Sequence, residues 1–305
     1  MLNMEKVLVT GGAGFIGSNL TNHLLGQGKH VTVIDNLSCG KKKNILDSDA
    51  LIFYKSDIRN QDLLEELIKN NDIVFHLAAL SRVLPSLKNP KACFENNVSN
   101  LETIVRLAVK FNKKLVFCSS REIYGNAKYL PVDENHELHP VNPYGLSKLM
   151  GEKIINESSN SYGLRYSIVR LTNVYGLNDF NRVIPSFIDR SLTGKPLIFY
   201  GGEQLLDFIH VNDVINALIK AALFECNITV NIGSGKATSI KNLARIIQKL
   251  TGTRTNYIIR QQRNGEVQKF VAEIKKAADV LNWRPTIPLE KGIRELIITK
   301  QKTDS

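Results

Sequence analysis

Short apolar runs alternate with segments of helical periodicity along the first half of the chain. The apolar runs lie at 6–10, 31–34, 51–54, 73–77, 114–118 and 165–170, and helical patterns lie at 15–27, 62–69, 97–111 and 144–158. Near-continuous apolar strands that alternate with helices are typical of a parallel sheet covered on both faces. The pattern predicts an α/β fold with a doubly wound parallel sheet, whose ligands bind at the carboxyl ends of the strands.

The pattern changes beyond about residue 175, where loops lengthen and Gly-Lys-Pro and Gly-Gly segments interrupt the chain. Apolar runs at 207–211 and 229–233 predict further strands, and helical patterns follow at 240–250 and 274–281. We expect a sheet domain over 1–175, with returning segments at about 205–235. The remainder, 176–305, is expected to be mainly a smaller substrate-binding lobe.

Composition and charge argue against several classes of protein. The chain has 305 residues, 43% of them apolar, which suffices for a large core. No apolar run approaches the ~18 residues that a membrane span needs, and the N-terminus does not resemble a signal peptide. We therefore expect a cytoplasmic protein with no membrane partner. The net charge of +11 comes from basic residues spread along the chain, which favours a lysine-rich surface over a nucleic-acid site.

The cysteines and histidines do not have the spacing of a metal site. The four cysteines are far apart and form no Cys-x-x-Cys pair, so neither structural zinc nor disulfides are predicted. His136 and His139 are three residues apart in a loop flanked by prolines, whereas a helical zinc motif places them four apart. The sequence predicts no metal.

Three glycines, Gly11, Gly14 and Gly17, lie between the first predicted strand and the first predicted helix. Glycine lets the backbone turn tightly and approach a pyrophosphate, and the N-terminus of the helix then offers free N–H groups. In an alternating chain this Rossmann-type arrangement predicts a dinucleotide cofactor. Asp35 ends the second strand, where a carboxylate accepts hydrogen bonds from ribose hydroxyls and repels a 2′-phosphate. The cofactor is therefore expected to be NAD, although the lysines at 41–43 lie within reach of a phosphate.

Tyr144 and Lys148 are four residues apart and share one face of a predicted helix, with Pro143 at its first turn. A tyrosine hydroxyl titrates near ~10, too high for a base at neutral pH. A nearby ammonium and the positive nicotinamide ring would favour the phenolate. The pair is therefore a candidate for proton transfer in the oxidation of an alcohol. Ser119 and Ser120, after the strand that ends at Cys118, are candidate hydrogen-bond partners of the reacting oxygen.

These motifs, in this order, resemble the extended short-chain dehydrogenase/reductase family in its NAD-dependent epimerase/dehydratase branch. The resemblance covers nearly the whole chain. The segments that carry it are 10–17, 35–38, 56–59, 76–79, 97–98, 119–125, 143–148, 170–176, 207–214 and 281–285.

The resemblance implies roles for individual residues. Ser120, Tyr144 and Lys148 would form the catalytic triad, and Ser120, Glu122, Asn173 and Arg263 would bind the substrate. The diphosphate of a nucleotide sugar would be held by Asn173 and Arg263. The residues that would bind NAD are Gly11, Gly14, Phe15, Ile16, Gly17, Asp35, Asn36, Ser38, Asp57, Ile58, Leu77, Ala78, Ala79, Asn97, Tyr144 and Lys148.

Two positions bear on the reaction type. Related dehydratases have an aspartate acid where this chain has Arg121, which cannot donate a proton at neutral pH, so dehydration is not expected. Related decarboxylases and many epimerases have an arginine where this chain has Leu206. We expect a nucleotide-sugar epimerase, with UDP-glucose and UDP-galactose as the leading pair, and a homodimer as is usual in this family. A UDP-glucuronate decarboxylase, another epimerase or reductase, and a non-catalytic nucleotide- or RNA-binding member remain the alternatives.

Overall fold

The computed structural model describes residues 4–180 and 182–304. In chain order the strands are β1 (Lys6–Thr10), β2 (His30–Asp35), β3 (Leu51–Lys55), β4 (Ile73–His76), β5 (Lys114–Ser120), β6 (Tyr166–Leu171), β7 (Asn173–Tyr175), β8 (Leu197–Tyr200), β9 (Leu205–His210), β10 (Ile228–Ile232), β11 (Ala237–Ser239), β12 (Tyr257–Arg260) and β13 (Lys269–Phe270). The α-helices are α1 (Phe15–Gly26), α2 (Gln61–Asn70), α3 (Val83–Lys88), α4 (Pro90–Phe94), α5 (Asn100–Lys110), α6 (Pro143–Tyr162), α7 (Val183–Leu192), α8 (Val211–Leu223), α9 (Ile240–Thr251), α10 (Lys275–Leu281) and α11 (Leu289–Asp304).

Seven parallel strands form the main sheet, in the order β10-β6-β5-β4-β1-β2-β3. Successive residues of each strand point to opposite faces, so Val7 and Val9 pack with α1 and α8 while Leu8 packs with α2 and α5. Both faces are thus covered, and the α/β fold class predicted from the apolar runs is confirmed. β2 lies on one side of β1 and β4 lies on the other, so the connections after β1 and β4 run in opposite directions. The carboxyl ends of β1 and β4 therefore border a crevice.

The C-terminal strands form two smaller sheets. One has the order β11-β9-β13, with β7 also paired to β9, and the other pairs β12 with β8. A separate apolar cluster lies among α7, α9, α11, β8 and β9. β10 belongs to the main sheet, where it pairs with β6. The boundary between 1–175 and 176–305 stays a prediction.

Within the described part of the chain, no helix is both long enough and apolar enough to cross a bilayer.

Candidate active site

The glycine-rich turn between β1 and α1 has little room for side chains. Gly11 has a φ of +70°, and a Cβ there would lie 2.7 Å from the backbone nitrogen of Ala78. A Cβ on Gly17 would lie 2.1 Å from the Gly11 carbonyl oxygen, and one on Gly14 would lie 3.2 Å from it. Gly14 caps α1 without a side-chain hydrogen bond. The N-terminal N–H groups of α1 therefore adjoin a cradle that a pyrophosphate can approach closely.

Asp35 lies buried at the end of β2, beside this turn. One of its carboxylate oxygens accepts a hydrogen bond from the Ala13 N–H at 2.9 Å, and the other accepts one from the Leu37 N–H at 2.7 Å. Leu37 has a φ of +58°, so the chain turns sharply after the carboxylate. Because a carboxylate oxygen accepts more than one hydrogen bond, Asp35 keeps capacity for ribose hydroxyls.

The outer rim of the crevice joins the loops after β2 and β3. The Asn36 side-chain amide donates to the Asp57 carboxylate at 2.7 Å, and the Ser38 N–H donates to Asn36 Oδ1 at 3.0 Å. A side-chain hydrogen bond from Arg59 is the largest cause that lowers the pKa of Asp57, to about 2. Ile58 is partly buried against the core beside this carboxylate. The structure thus brings together the four rim residues that the sequence predicted.

The opposite side of the crevice is formed by residues 77–79, directly after β4. The Ala78 N–H donates to the Thr10 hydroxyl at 3.3 Å, and that hydroxyl lies 2.8 Å from Nδ1 of His76. Burial lowers the pKa of His76 to about 3, with the nearby charge of Lys148 as a second cause. His76 is therefore neutral, and it ties the ends of β1 and β4 together.

Asn97 lies in a π-helical turn, Glu95–Ser99, that precedes α5. The sequence predicts one continuous helix over 97–111, and the structure differs by this turn. The Asn97 amide accepts from the Leu80 N–H at 2.8 Å, and it donates to the Leu80 carbonyl at 3.1 Å and to the Ser147 hydroxyl at 2.9 Å. It thereby links the loop after β4 to α6. Single π-helical turns within helices occur frequently at functional sites.

The proton-transfer candidates converge at the carboxyl end of β5. Ser120 ends that strand, and its hydroxyl lies near enough to the phenol of Tyr144, in the first turn of α6, to lower the pKa of that phenol. The helix begins there because Pro143 occupies its first turn and the Asn142 side chain accepts from the Gly145 N–H at 2.8 Å. Tyr144 and Ser120 are 9% and 8% exposed. Serine and tyrosine therefore lie near each other in a largely enclosed position.

Lys148 lies one turn further along α6, with its ammonium directed at the backbone. Its Nζ donates to the Cys118 carbonyl at 2.8 Å, and burial lowers its pKa to about 8. Burial also raises the pKa of Tyr144 to about 12, and the hydrogen bond from Ser120 only partly opposes that shift. We expected Lys148 to lower the pKa of Tyr144. Desolvation outweighs any such effect in this structure, and the phenol stays protonated.

A second wall of the site carries two opposite charges in contact. Arg121 and Glu122 form an ion pair of 2.9 Å, and both side chains are buried. The Glu122 carboxylate also accepts from the Asn142 amide at 2.9 Å, and Arg121 donates to Oδ1 of Asn173 at 3.3 Å. Asn173, at the start of β7, donates in turn to the Asp207 carbonyl at 3.1 Å. The predicted substrate residues Glu122 and Asn173 are thus linked through an arginine that was not predicted to bind substrate.

Arg263 lies on the loop between β12 and β13, on the C-terminal side of the site. Its guanidinium carbon lies 3.5 Å from the centre of the Tyr200 ring, and Nη1 is 3.3 Å from the Glu266 carboxylate. The same loop reaches α6, because the Asn142 amide donates to the Gly265 carbonyl at 2.9 Å. Arg263 is therefore held on a segment that contacts the start of the helix that carries Tyr144.

Leu206 is 8% exposed and packs in the C-terminal apolar cluster with Phe208. It pairs with Thr238 and Phe270 across its sheet. The position where the resemblance implies an arginine is thus apolar and buried here.

A buried polar network supports the floor of the site. Arg170 on β6 pairs with Glu152 on α6 at 2.7 Å, and the Ser119 hydroxyl donates to the same carboxylate. Arg170 also donates to the Tyr124 hydroxyl at 2.8 Å. That hydroxyl in turn donates to the Asn231 side chain on β10 at 2.7 Å. The sequence did not single out this network. Its only sequence signal is that Glu152 follows Lys148 by four residues and so lies one helical turn away on α6.

The segment that follows β7 crosses the crevice. The Asn19 amide donates to the Leu177 carbonyl at 2.8 Å, and Arg82 donates to the Phe180 carbonyl at 2.6 Å. The ammonium of Lys41 lies 4.8 Å from the centre of the Phe180 ring. This crossing segment, residues 177–180, therefore contacts the first helix and the loops after β2 and β4.

Within residues 4–180 and 182–304, no group of three or more histidine, cysteine, aspartate or glutamate side chains is placed to hold a metal ion.

The chain matches the model of the NAD dependent epimerase/dehydratase family over residues 7–233. A protein of Methanocaldococcus jannaschii, provisionally named a UDP-glucose 4-epimerase, is 41% identical over an alignment of 299 residues, and the match covers 95% of this chain and 97% of that protein. A UDP-glucose 4-epimerase structure with UDP-glucose from Thermotoga maritima has a TM-score of 0.94 and 32% identity, and the match covers 98% of this chain and 100% of that one.

A further solved structure is the UDP-N-acetylglucosamine 4-epimerase of Methanobrevibacter ruminantium M1 in complex with UDP-N-acetylmuramic acid. It has a TM-score of 0.93 and 32% identity, with 99% of each chain covered. The family resemblance predicted from the motifs is confirmed, and so is NAD as the cofactor. The glycine cradle and Asp35 fit a dinucleotide, which agrees with NAD as the cofactor. The chain belongs to the NAD dependent epimerase/dehydratase family.

Proposed function

We propose that this chain is a nucleotide-sugar 4-epimerase that interconverts UDP-glucose and UDP-galactose. The observation that carries the proposal is that Ser120, at the end of β5, lies near enough to Tyr144 to lower the pKa of its phenol, one helical turn from the buried Lys148. Relatives named after different UDP-sugars share action at position 4 of the sugar. The shared position supports the reaction type more strongly than it supports one particular sugar.

When bound, NAD would supply the acceptor and later the donor of the hydride that C4 of the sugar loses and regains. Tyr144 takes the proton of the 4-hydroxyl, and the Ser120 hydroxyl hydrogen-bonds to the same oxygen. The phenol starts from a pKa near 12, so it needs a cationic neighbour to act as a base. Lys148 is one turn away on α6, and a bound, positively charged nicotinamide would favour the phenolate further.

After oxidation the 4-keto sugar turns over within the site and is reduced on its other face, with Tyr144 returning the proton. This turn requires the nucleotide to stay fixed while the sugar rotates. We assign the diphosphate to Asn173 and Arg263, since a guanidinium matches phosphate oxygens in charge and shape. Glu122 binds on the sugar side. Leu206 is uncharged, so no second arginine from that position would help Arg263 to bind the diphosphate.

For the cofactor, we assign the pyrophosphate to the cradle of Gly11, Gly14 and Gly17 with the backbone of Phe15 and Ile16. The rim that holds Asp35 would bind the adenosine, and Asn97 and residues 77–79 would line the opposite side. A buried carboxylate with lone pairs available favours ribose hydroxyls over a 2′-phosphate. This supports NAD over NADP.

The decisive test is to replace Tyr144 with phenylalanine and follow UDP-galactose by NMR without added reductant. We expect conversion to UDP-glucose by the wild type and a loss of at least about 100-fold in the variant, because general base catalysis contributes factors of this size. Bound NAD should be retained by the variant, since the cradle is unchanged. Tyr162→Phe is a matched control, because Tyr162 lies on the same helix and is 73% exposed.

Full turnover by Tyr144→Phe would show that the assigned base is wrong. If the wild type converts no UDP-hexose, N-acetylhexosamine or uronate with NAD supplied, the epimerase proposal fails. Release of carbon dioxide from UDP-glucuronate would favour the decarboxylase alternative. Salt-sensitive binding of RNA without any turnover would favour the non-catalytic alternative.

We also propose a cytoplasmic homodimer that associates through α5 and α6. Leu146 and Met150 lie one helical turn apart on α6 and are 42% and 39% exposed, which supports an apolar contact on that helix. Light scattering of the purified protein should give twice the chain mass. Substitution of both residues by glutamate should give the mass of one chain.

A further inference from the structure

Ser119 and Ser120 are adjacent at the end of β5, but their hydroxyls point to different places. Ser119 is 3% exposed, and its hydroxyl donates to the Glu152 carboxylate on α6. Side chains alternate along a strand, so Ser119 shares the face of Phe117. That face packs closely on α6, where a Cβ on Gly151 would lie 2.9 Å from the Phe117 ring. Ser119 is therefore directed at the middle of α6, which leaves Ser120 as the candidate partner of the reacting oxygen.

The last three residues of β5 are attached to three successive turns of α6. Tyr144, Lys148 and Glu152 are four residues apart and so share one face of the helix. The Lys148 ammonium donates to the Cys118 carbonyl at 2.8 Å, Glu152 accepts from the next residue, and Tyr144 lies near the one after it. At a rise of about 1.5 Å per residue, these attachments span about 12 Å of helix. Together they fix how far α6 is shifted along β5 and how it is rotated.

The Glu152 carboxylate is itself held by the sheet. Arg170 on β6 donates to one of its oxygens from Nε at 3.0 Å and to the other from Nη2 at 2.7 Å. Such a two-point contact fixes the orientation of a carboxylate as well as its distance. Arg170 lies opposite Ser119 in the register of β5 and β6, and it also donates to the Tyr124 hydroxyl and to the Glu134 carbonyl. The middle attachment therefore joins α6 to two strands of the sheet.

The middle attachment bears on the reaction because proton transfer is sensitive to small displacements. A misplacement of about 1 Å can cost about 100-fold in rate. Tyr144 and Lys148 lie in the first two turns of α6, directly before the turn that Glu152 anchors. We infer that Ser119 and Glu152 are positioning residues, which hold α6 on β5 and so keep the proton-transfer groups aligned. This inference rests on the proposed 4-epimerase function.

The test replaces Ser119 with alanine, which removes one hydroxyl and leaves the pair of Glu152 and Arg170 intact. We expect kcat for UDP-galactose to fall by about 10-fold, which is part of the loss that a misplacement of about 1 Å causes. KM and the affinity for NAD should stay within about 2-fold, because the residues assigned to binding are unchanged. Ser119→Thr keeps the hydroxyl and should restore most of kcat.

The pH profile of kcat separates positioning from a general loss of stability. Its acid limb reports the pKa of Tyr144 in the substrate complex, since the base must first lose its proton. Burial raises that pKa, and Ser120 is among the neighbours that lower it. In Ser119→Ala the phenol is held less well against these neighbours, so the acid limb should move to higher pH by about half a unit or more. A loss of folded protein would lower the whole profile without moving it.

Ser167→Ala is the matched control. Ser167 is a fully buried serine on β6, and its hydroxyl donates to the Ala221 carbonyl on α8 at 2.6 Å. This variant should lose stability as Ser119→Ala does, with kcat and the acid limb unchanged. The inference is overturned if the two variants have the same kcat and pH profile, or if Ser119→Ala lowers the profile without shifting it.

Hydrogen exchange of residues 143–150 tests the same inference without turnover. Exchange there should be faster in Ser119→Ala than in Ser167→Ala, and equal protection would refute the role of Ser119 while leaving the epimerase proposal intact. If the wild type converts no UDP-sugar, the proposed function fails, and hydrogen exchange still decides whether Ser119 holds α6. If Ser119→Ala does not fold, Ser119→Cys, whose thiol donates only weakly, is compared with Ser119→Thr by the same measurements.

Discussion

Gly17 offers the sharpest test of the cofactor cradle. A Cβ added there would lie 2.1 Å from the Gly11 carbonyl oxygen and 2.8 Å from Gly12 Cα, and both are backbone atoms that no rotamer change can move. The Gly11 carbonyl also accepts the Gly14 N–H at 3.1 Å, so the turn must open by about 1 Å to restore ordinary contact distances. Overpacking of this kind costs about 3 kcal/mol.

We therefore expect Gly17→Ala to lower the melting temperature of the cofactor-free protein by about 5–10 °C. NAD binding should weaken by at least about 100-fold, which corresponds to about 3 kcal/mol, because the displaced turn no longer presents its N–H groups to the pyrophosphate. Calorimetric titration of NAD into the cofactor-free protein measures the affinity, and a thermal scan measures the stability.

The chain contains its own graded controls. A Cβ on Gly14 would meet the same carbonyl at 3.2 Å, and one on Gly26, at the end of the same helix, would meet nothing within 4 Å. Gly14→Ala should therefore fall between the other two variants, and Gly26→Ala should be neutral or more stable by up to about 1 kcal/mol. The reasoning is refuted if Gly17→Ala matches Gly26→Ala in both melting temperature and NAD affinity.

Two further predictions concern the residues around the crevice. Burial lowers the pKa of Lys148 from 10.5 to about 8, so between those values the unfolded chain keeps a proton that the folded chain has lost. The free energy of unfolding of the cofactor-free wild type should thus rise across this pH window relative to that of Lys148→Met. At pH 7 the variant should be the more stable protein. Denaturant titrations of both proteins at several pH values measure this difference. Phe180→Ala removes the ring beneath Lys41 and should speed NAD release by about 2- to 5-fold, the factor expected for one exposed cation–π contact. Displacement of bound NADH measures that release rate. Tyr162→Ala is the control, because it removes an exposed aromatic ring elsewhere on the chain. An equal release rate in both variants would mean that Phe180 does not restrain the cofactor.

The parts of the site that the sequence predicted are those fixed by local structure. Gly11, Gly14 and Gly17 are set by one turn, and Tyr144 and Lys148 by one helix. Their meeting with Ser120 follows from the rule that parallel strands end at one edge of a sheet.

The direction of individual side chains could not be predicted in the same way, because it depends on residues distant in the sequence. Lys148 donates to the Cys118 carbonyl, and this contact exists only after β5 and α6 have packed. The direction of the Arg121 side chain likewise depends on where Asn173 and Phe270 lie. The π-helical turn at Asn97 has no signature in hydrophobic periodicity, since it inserts one residue into a pattern that otherwise continues.

The buried network under the site has a consequence for how this sequence can diverge. Arg170 and Glu152 satisfy one another, and the hydroxyls of Ser119 and Tyr124 complete their hydrogen bonds. Loss of either charge leaves the other buried and unpaired, which costs about 3–5 kcal/mol, whereas replacing both with apolar residues of similar volume is often nearly neutral. Amino-acid replacement at positions 152 and 170 must therefore change both residues together. Among related chains we expect arginine at 170 and glutamate at 152 to be inherited, or lost, as one unit.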